Sequence, residues 1–542
     1  MSERARFLAF AFANADVLIE ADVEGRITFA AGALEALLCA GQSDLLGRHL
    51  HDLVGPQDRG LVRRLVRNLT PNARLRPREL QLPSPDGGVP VTLAGFRLAG
   101  SVLRNLTLTR SERPGKLARG VQDAETGLAT AETFELRLGA RYGVEPGPGE
   151  RLTLLKLDGL AAVRSRLGAE ATGRLLEEVG ALLREHAVED ELAGRLADDR
   201  FGLVHGQAVT AGRIEADLAE AVRAERIDGI EAQASTVELN APDIAVEDAG
   251  RVLLFAVRRF AEVGGTAIGD LKGGLRSLVE DTVSRVSGLR STLLDGRVAL
   301  QFQPVVTLRD RSLHHFEALS RFPAGAPGPT VAFAEQVGMA PDLDLHVCRK
   351  ALDVLAANAG RVGAGIAVNM SAESLGSDLF IETFRRLSLN AGELRRSLMI
   401  EITESSSIPN LERAARVIAT LRADGHRVCL DDFGAGAASF PYLQALEIDF
   451  VKIDGIYVDR LGHGARDDTI LRSMIGLCHQ LGAKVVAERV EEGSQAEQLA
   501  SWGVELAQGY LFGRPADAPV YAPPPLAPAR AARRRGTREG WG

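Results

Sequence analysis

Six times in the C-terminal half of the chain, a short β-forming run stops on a side chain able to hold a cation or carry a charge. Phe316 precedes Glu317; Ile366, Ala367 and Val368 run into Asn369; Leu398, Met399 and Ile400 run into Glu401. Val428, Cys429 and Leu430 lead to Asp431 and Asp432, Phe450 and Val451 to Lys452, and Val485, Val486 and Ala487 to Glu488. Helix-length amphipathic segments such as Glu412–Leu421 and Thr469–Leu481 lie between these endings. Runs alternating in this way predict a parallel sheet. This many repeats in about 250 residues predict a closed (β/α)8, TIM-like barrel whose strand ends converge on one mouth. Glu317, Asn369, Glu401, Asp431, Asp432, Lys452 and Glu488 would share that mouth.

The adjacent pair Asp431-Asp432 is the costliest feature. Like charges this close repel unless a cation lies between them. In isolation, two aspartates before Phe433-Gly434-Ala435-Gly436 read as a helix cap or a turn. At one of several acid-tipped strands they read instead as metal ligands. Oxygen donors, including an Asn carbonyl, without His or Cys suit Mg²⁺ or Mn²⁺ rather than zinc.

The segments FQPVV, EALSR, VNMS, EITE, DDFGAG, VKID, VVAERVE and QGYLFGRP follow one another in that order. From Leu275 to about Pro525 the chain therefore resembles the EAL-type cyclic di-GMP phosphodiesterases. The resemblance implies a two-metal site hydrolysing cyclic di-GMP to linear pGpG. It assigns Glu317, Asn369 and Glu401 to one metal, Asp432 and Glu488 to the other, and Asp431 to both. Catalytic roles fall to Glu488 as general base, Lys452 and Glu491. Gln303, Arg321 and Gln508 match substrate contacts, and Glu404 matches a support of the Asp-Asp loop. Two positions depart from the family: Gly436-Ala437-Ala438-Ser439 replaces Gly-Tyr-Ser-Ser, and Arg489 replaces a glycine beside Glu488. The alternatives are a receptor that binds cyclic di-GMP without cutting it, and a structural scaffold.

A chain of 542 residues predicts about three domains, here a multidomain α/β and α+β protein. Residues 1–110 show strands Val17–Ala21 and Ile27–Ala30 across an Asp22–Gly25 hairpin, a helix from Ala33, a hairpin at Asp86-Gly87-Gly88 and a strand Val102–Thr109. ADVLIEADVEGRITFA and LLGRHLHDLV resemble a PAS sensor domain, whose ligand stays unknown. Cys39 lies outside the flavin-binding context, and His49 and His51 read as surface or capping residues. After a polar linker, 120–268 resembles a GGDEF domain, with DAETGL (Asp123–Leu128) as its entry motif. The signature reads Ala197-Asp198-Asp199-Arg200-Phe201, Lys156 stands at a metal-ligand position and Arg164 at a guanine-reading one. Val188–Glu191 replaces the inhibitory Arg-x-x-Asp. A cation at a metal-ligand position repels Mg²⁺, so this domain reads as degenerate and non-catalytic.

Leu275, Leu278, Val279, Val286, Leu289 and Leu293 form an apolar helical stripe, expected to pack on the barrel rather than to form a signalling dimer helix. A Pro/Arg-rich tail, 526–542, reads as disordered. The net charge of −8 offers no field for polymeric nucleic acid. Four scattered cysteines and no long apolar run predict a cytoplasmic protein with reduced thiols and no membrane span. A homodimer is expected from the resemblance.

Overall fold

The computed structural model describes residues 15–84, 88–111, 121–142, 149–188, 192–238, 246–262, 271–358, 364–403, 408, 410–434 and 439–523. The linker after Ser111, the turn at Asp86-Gly87, most of Val188–Glu191, Glu404, the Ala435–Ala438 loop and the C-terminal tail lie outside these residues. The chain divides into two compact units, Met1–Ser287 and Gly288–Gly542.

The first unit carries two sheets. Strands β1 (Val17–Ala21), β2 (Ile27–Gly32), β3 (Arg74–Leu82), β4 (Val89–Phe96) and β5 (Arg104–Arg110) form an antiparallel sheet of order β2-β1-β5-β4-β3. The β1–β2 turn forms because the Asp22 carboxylate accepts the Glu24 and Arg26 N–H groups while Gly25 adopts φ +80°. Alternate residues Val17, Ile19 and Ala21 face inward, onto Leu61, Val62 and Leu65 of the helix Pro56–Asn68.

Strands β6 (Ala129–Thr130), β7 (Arg151–Asp158), β8 (Ala193–Ala197), β9 (Arg200–His205) and β10 (Glu231–Glu238) form the second sheet, of order β10-β7-β9-β8-β6. Leu155, Leu157 and Leu203 meet the long helix Leu160–His186, whereas Leu152, Leu154 and Val204 meet Leu253, Val257 and Phe260 of the helix Val246–Glu262. The helix Leu271–Leu294 forms as expected, but Leu278 and Val279 pack against this second core. Phe260 and its neighbours already offer an apolar face there. Within this unit the two sheets' helices meet around a buried ion pair, Arg184 Nη2 to Asp58 Oδ1 at 2.8 Å.

The second unit is a closed eight-stranded barrel: β11 (Ala299–Thr307), β12 (Leu313–Arg321), β13 (Gly365–Met370), β14 (Leu398–Thr403), β15 (Val428–Phe433), β16 (Phe450–Ile453), β17 (Lys484–Ala487) and β18 (Leu506–Gln508). The all-parallel (β/α)8 expectation fails at one strand. β11 runs antiparallel to both β12 and β18. Only Leu308–Ser312 connects β11 to β12, and a five-residue link makes a hairpin, never a parallel crossover. Arg311 at φ 57° and the Thr307–Asp310 hydrogen bond close the turn. The start of β11, rather than its end, therefore lies at the mouth: Ala299 pairs with Arg321 and Gln303 with Glu317. Among the described residues, no helix is long and apolar enough to cross a membrane.

Candidate active site at the barrel mouth

Parallel registry brings the acid-tipped strands level. Asn369 pairs with Glu401, and Thr403 with Asp431, so each ligand sits near its own strand's C-terminal end. Lys452 is the hub. The residue is only 1 % exposed, and its Nζ lies 2.9 Å from Asp431 Oδ1, 3.0 Å from Glu488 Oε1, and 3.4 Å from both Glu317 Oε2 and Glu401 Oε2. Burial disfavours the ammonium, but these four carboxylates outweigh it and hold Lys452 well above its usual range. The Lys fixes one positive charge among five carboxylates, with Asp432 as the fifth.

That balance leaves the site short of positive charge. Burial, reinforced by Glu317, Asp431 and Glu488, pushes Glu401 well above the carboxylate range despite Lys452. Burial and the charges of Asp431 and Glu317 raise Glu488 to about 8. Burial and Asp431 raise Asp432 to about 6. Glu317 moves the other way. Burial opposes its ionisation, but Lys452, Gln508 and Asn369 together bring it below the usual value. Gln508 Nε2 donates to Glu317 Oε2 at 2.6 Å and to Gln303 Oε1 at 3.1 Å, and Asn369 Nδ2 donates to Glu317 Oε1 at 3.3 Å.

Two sets of oxygens, each within 4.8 Å of one another, share Asp431: Glu317, Glu401 and Asp431 in one, Asp431, Asp432 and Glu488 in the other. Three buried acceptors, Asn369 Oδ1, Glu401 Oε1 and Gln508 Oε1, have no hydrogen-bond partner among the described residues. Buried acceptors are costly to leave unsatisfied. A divalent cation held by hard oxygens fits Asn369 Oδ1 and Glu401 Oε1, so the residues present suit such an ion.

The remaining expected residues are placed differently. Gln303 lies beside Gln508 only because β11 is reversed. Arg321 ends β12, its Nε donating to Gln301 Oε1 at 2.7 Å, while Gln301 Nε2 donates to Asp517 at 2.9 Å. Gln301 and Asp517 lie outside the motifs legible in the sequence. The two-residue spacing of Gln301 and Gln303 is the signal that places both on one face. Glu491 is exposed beyond the cluster, its N–H bonded to Gln495 Oε1. The αL turn at Arg489 redirects the chain between Glu488 and Glu491.

With this geometry in place, residues 287–515 match the model of the EAL domain. The barrel is an EAL domain. The chain is 28% identical over 383 residues to the cyclic di-GMP phosphodiesterase NbdA of Pseudomonas aeruginosa, covering 68% of this chain and 49% of that protein. It is 35% identical over 228 residues to the cyclic di-GMP phosphodiesterase PdeB of Shewanella oneidensis, covering 41% and 27%. A protein of Azorhizobium caulinodans is 29% identical over 574 residues, covering 97% of this chain. The chain thus spans three quarters, about half and about a quarter of the Azorhizobium, Pseudomonas and Shewanella proteins.

Proposed function

We propose that this protein hydrolyses cyclic di-GMP to linear pGpG at the EAL barrel mouth, using two divalent cations, Mg²⁺ or Mn²⁺. The observation that carries the reading is Asp431 standing in both oxygen clusters, with unsatisfied buried acceptors on Glu401, a member of one cluster, and on Asn369, which hydrogen-bonds Glu317 of that cluster. Glu317, Asn369, Glu401 and Asp431 would hold one cation, and Asp431, Asp432 and Glu488 the other. When bound, such a pair generates hydroxide and neutralises the attacking and leaving oxygens of a phosphodiester.

The chain's own groups do the rest. Ionised beside the cations it would help to hold, Glu488 would accept the proton of the attacking water. Lys452 keeps Asp431 and Glu488 aligned and places a fixed positive charge where negative charge develops on the phosphoryl oxygens. Gln508 and Asn369 orient Glu317. Gln303 and Arg321, on the reversed strand and its hairpin partner, line the approach for substrate.

The first unit fits a sensor-and-transmitter role. Its antiparallel sheet supports the PAS reading. The second sheet supports a GGDEF-like domain without cyclase chemistry: Lys156 pairs with Asp158 and sits opposite Arg200 across β7 and β9. Arg200 Nη1 donates to the carbonyls of Phe260 and Ala261, and Arg195 binds Asp123 and Glu125. Purified chain given cyclic di-GMP and Mn²⁺ should release pGpG, resolved by chromatography. Binding without product would replace hydrolysis with the receptor reading, and neither binding nor product would leave the scaffold.

A further inference from the structure

Arg489 is in the left-handed region, φ 55°, directly after Glu488. For a long side chain without a local hydrogen bond this conformation is unfavourable. Its guanidinium reaches Asp459 Oδ2 at 2.9 Å, but both partners are largely exposed, and such pairs contribute little to stability. Strain retained without a stability return points to a geometric role.

The geometry is specific. The stem of Arg489 lies across Gly455, where an added Cβ would come within 2.1 Å of Arg489 Cδ. Gly455 opens the helix Gly455–Asp459, three residues after Lys452. The far side of that helix reaches the Asp431-Asp432 loop. Tyr457 donates its hydroxyl to Gly434 O at 2.9 Å, and Asp454 N–H donates to Phe433 O at 3.3 Å. Past Arg489, Val490 N–H donates to Gln508 O at 3.0 Å. The short helix is thus wedged between the segment following Asp432 and the residue following Glu488.

We infer that Arg489 is a positioning residue: by seating its stem on Gly455 and its guanidinium on Asp459, it fixes the separation of Glu488 from Asp431 and Asp432, and so the affinity of the second divalent-cation site. This rests on the two-cation reading above. Removing such an orienting contact weakens metal binding by about tenfold or more.

The test is calorimetric titration of Mn²⁺ into the full chain, beside thermal melts without metal. Arg489→Gly releases the αL strain, so its metal-free melting temperature should stay level or rise while one of the two Mn²⁺ sites loses about tenfold in affinity. Arg489→Lys, which keeps stem and charge, should bind Mn²⁺ nearly as the wild type does. Unchanged Mn²⁺ affinity in Arg489→Gly would overturn the inference and leave the two-cation reading standing. A metal-free melting temperature lowered in both variants, with affinity lost equally in both, would make Arg489 structural and also overturn it. A wild-type chain that binds no Mn²⁺ would remove both.

Discussion

Replacing Lys452 by Met isolates the charge at the hub, because methionine keeps most of the stem and removes only the ammonium. In the metal-free protein the ammonium touches four carboxylates at 2.9–3.4 Å with almost no access to water. Breaking a buried pair by deleting one partner costs about 3–5 kcal/mol. The carboxylates can recover part of this by taking up protons, so the loss depends on pH. Without Lys452, Glu401 and Glu488, already raised, move further above their unfolded values. The folded state then binds more protons than the unfolded state, and stability falls as pH rises. The deficit against wild type should therefore be small near pH 5.5 and reach about 3 kcal/mol near pH 8. Divalent cations supply the missing charge, so Mn²⁺ should stabilise the variant more than the wild type, while turnover falls about 100-fold or more. Urea denaturation followed by tryptophan fluorescence reads the barrel through Trp502, over whose ring Arg472 lies at 4.3 Å. A metal-free variant as stable as wild type at pH 8, or a deficit that ignores pH, would show that Lys452 does not balance the charge of these carboxylates.

Asp344 accepts the Ser371 N–H and the Ser374 hydroxyl, and burial raises it to about 6. Its folded value exceeds the unfolded one, so its ionisation opposes folding: barrel stability should drop by about 3 kcal/mol between pH 4 and 6.5, and that component should vanish from the pH profile of Asp344→Asn. Asp58→Ala strands the Arg184 guanidinium and should cost about 3–5 kcal/mol in equilibrium unfolding of the first unit, whereas Asp58→Leu with Arg184→Met should come within about 1 kcal/mol of wild type. If the second sheet is the proposed GGDEF-like domain, Lys156 and Arg200 would stand where cations must be held, so a Glu317→Ala variant given GTP and Mg²⁺ should form no cyclic di-GMP; product by chromatography would contradict this.

The barrel was legible because acid-tipped β-runs alternating with amphipathic helices admit few other folds, and the hub residues were legible because each ends such a run. The reversal of β11 was not, since Ala299–Thr307 reads as a β-run in either direction and only the short link to Leu313 dictates a hairpin. Direction also decides which residues reach the mouth, so the role of Gln301 was hidden with it. The resemblance groups Glu491 with Glu488; its exposed position follows from the αL turn at Arg489, which is invisible to periodicity because arginine carries no local signal for that conformation. The Asp58–Arg184 pair was likewise hidden: nothing at either position announces burial, and the contact joins segments more than a hundred residues apart.

In the proposed mechanism Asp431 would be shared by two cations. Asp431→Asn preserves size and hydrogen bonding and removes only the charge both cations would share. Turnover of cyclic di-GMP in Mn²⁺, measured beside metal-free melts of the same preparation, tests it most directly. The expected result is a loss of several orders of magnitude in kcat with a metal-free melting temperature unchanged or slightly higher, since one of five mutually repelling carboxylates is gone. Near-normal turnover, or a much lower metal-free melting temperature, would make Asp431 a structural acid and contradict the mechanism.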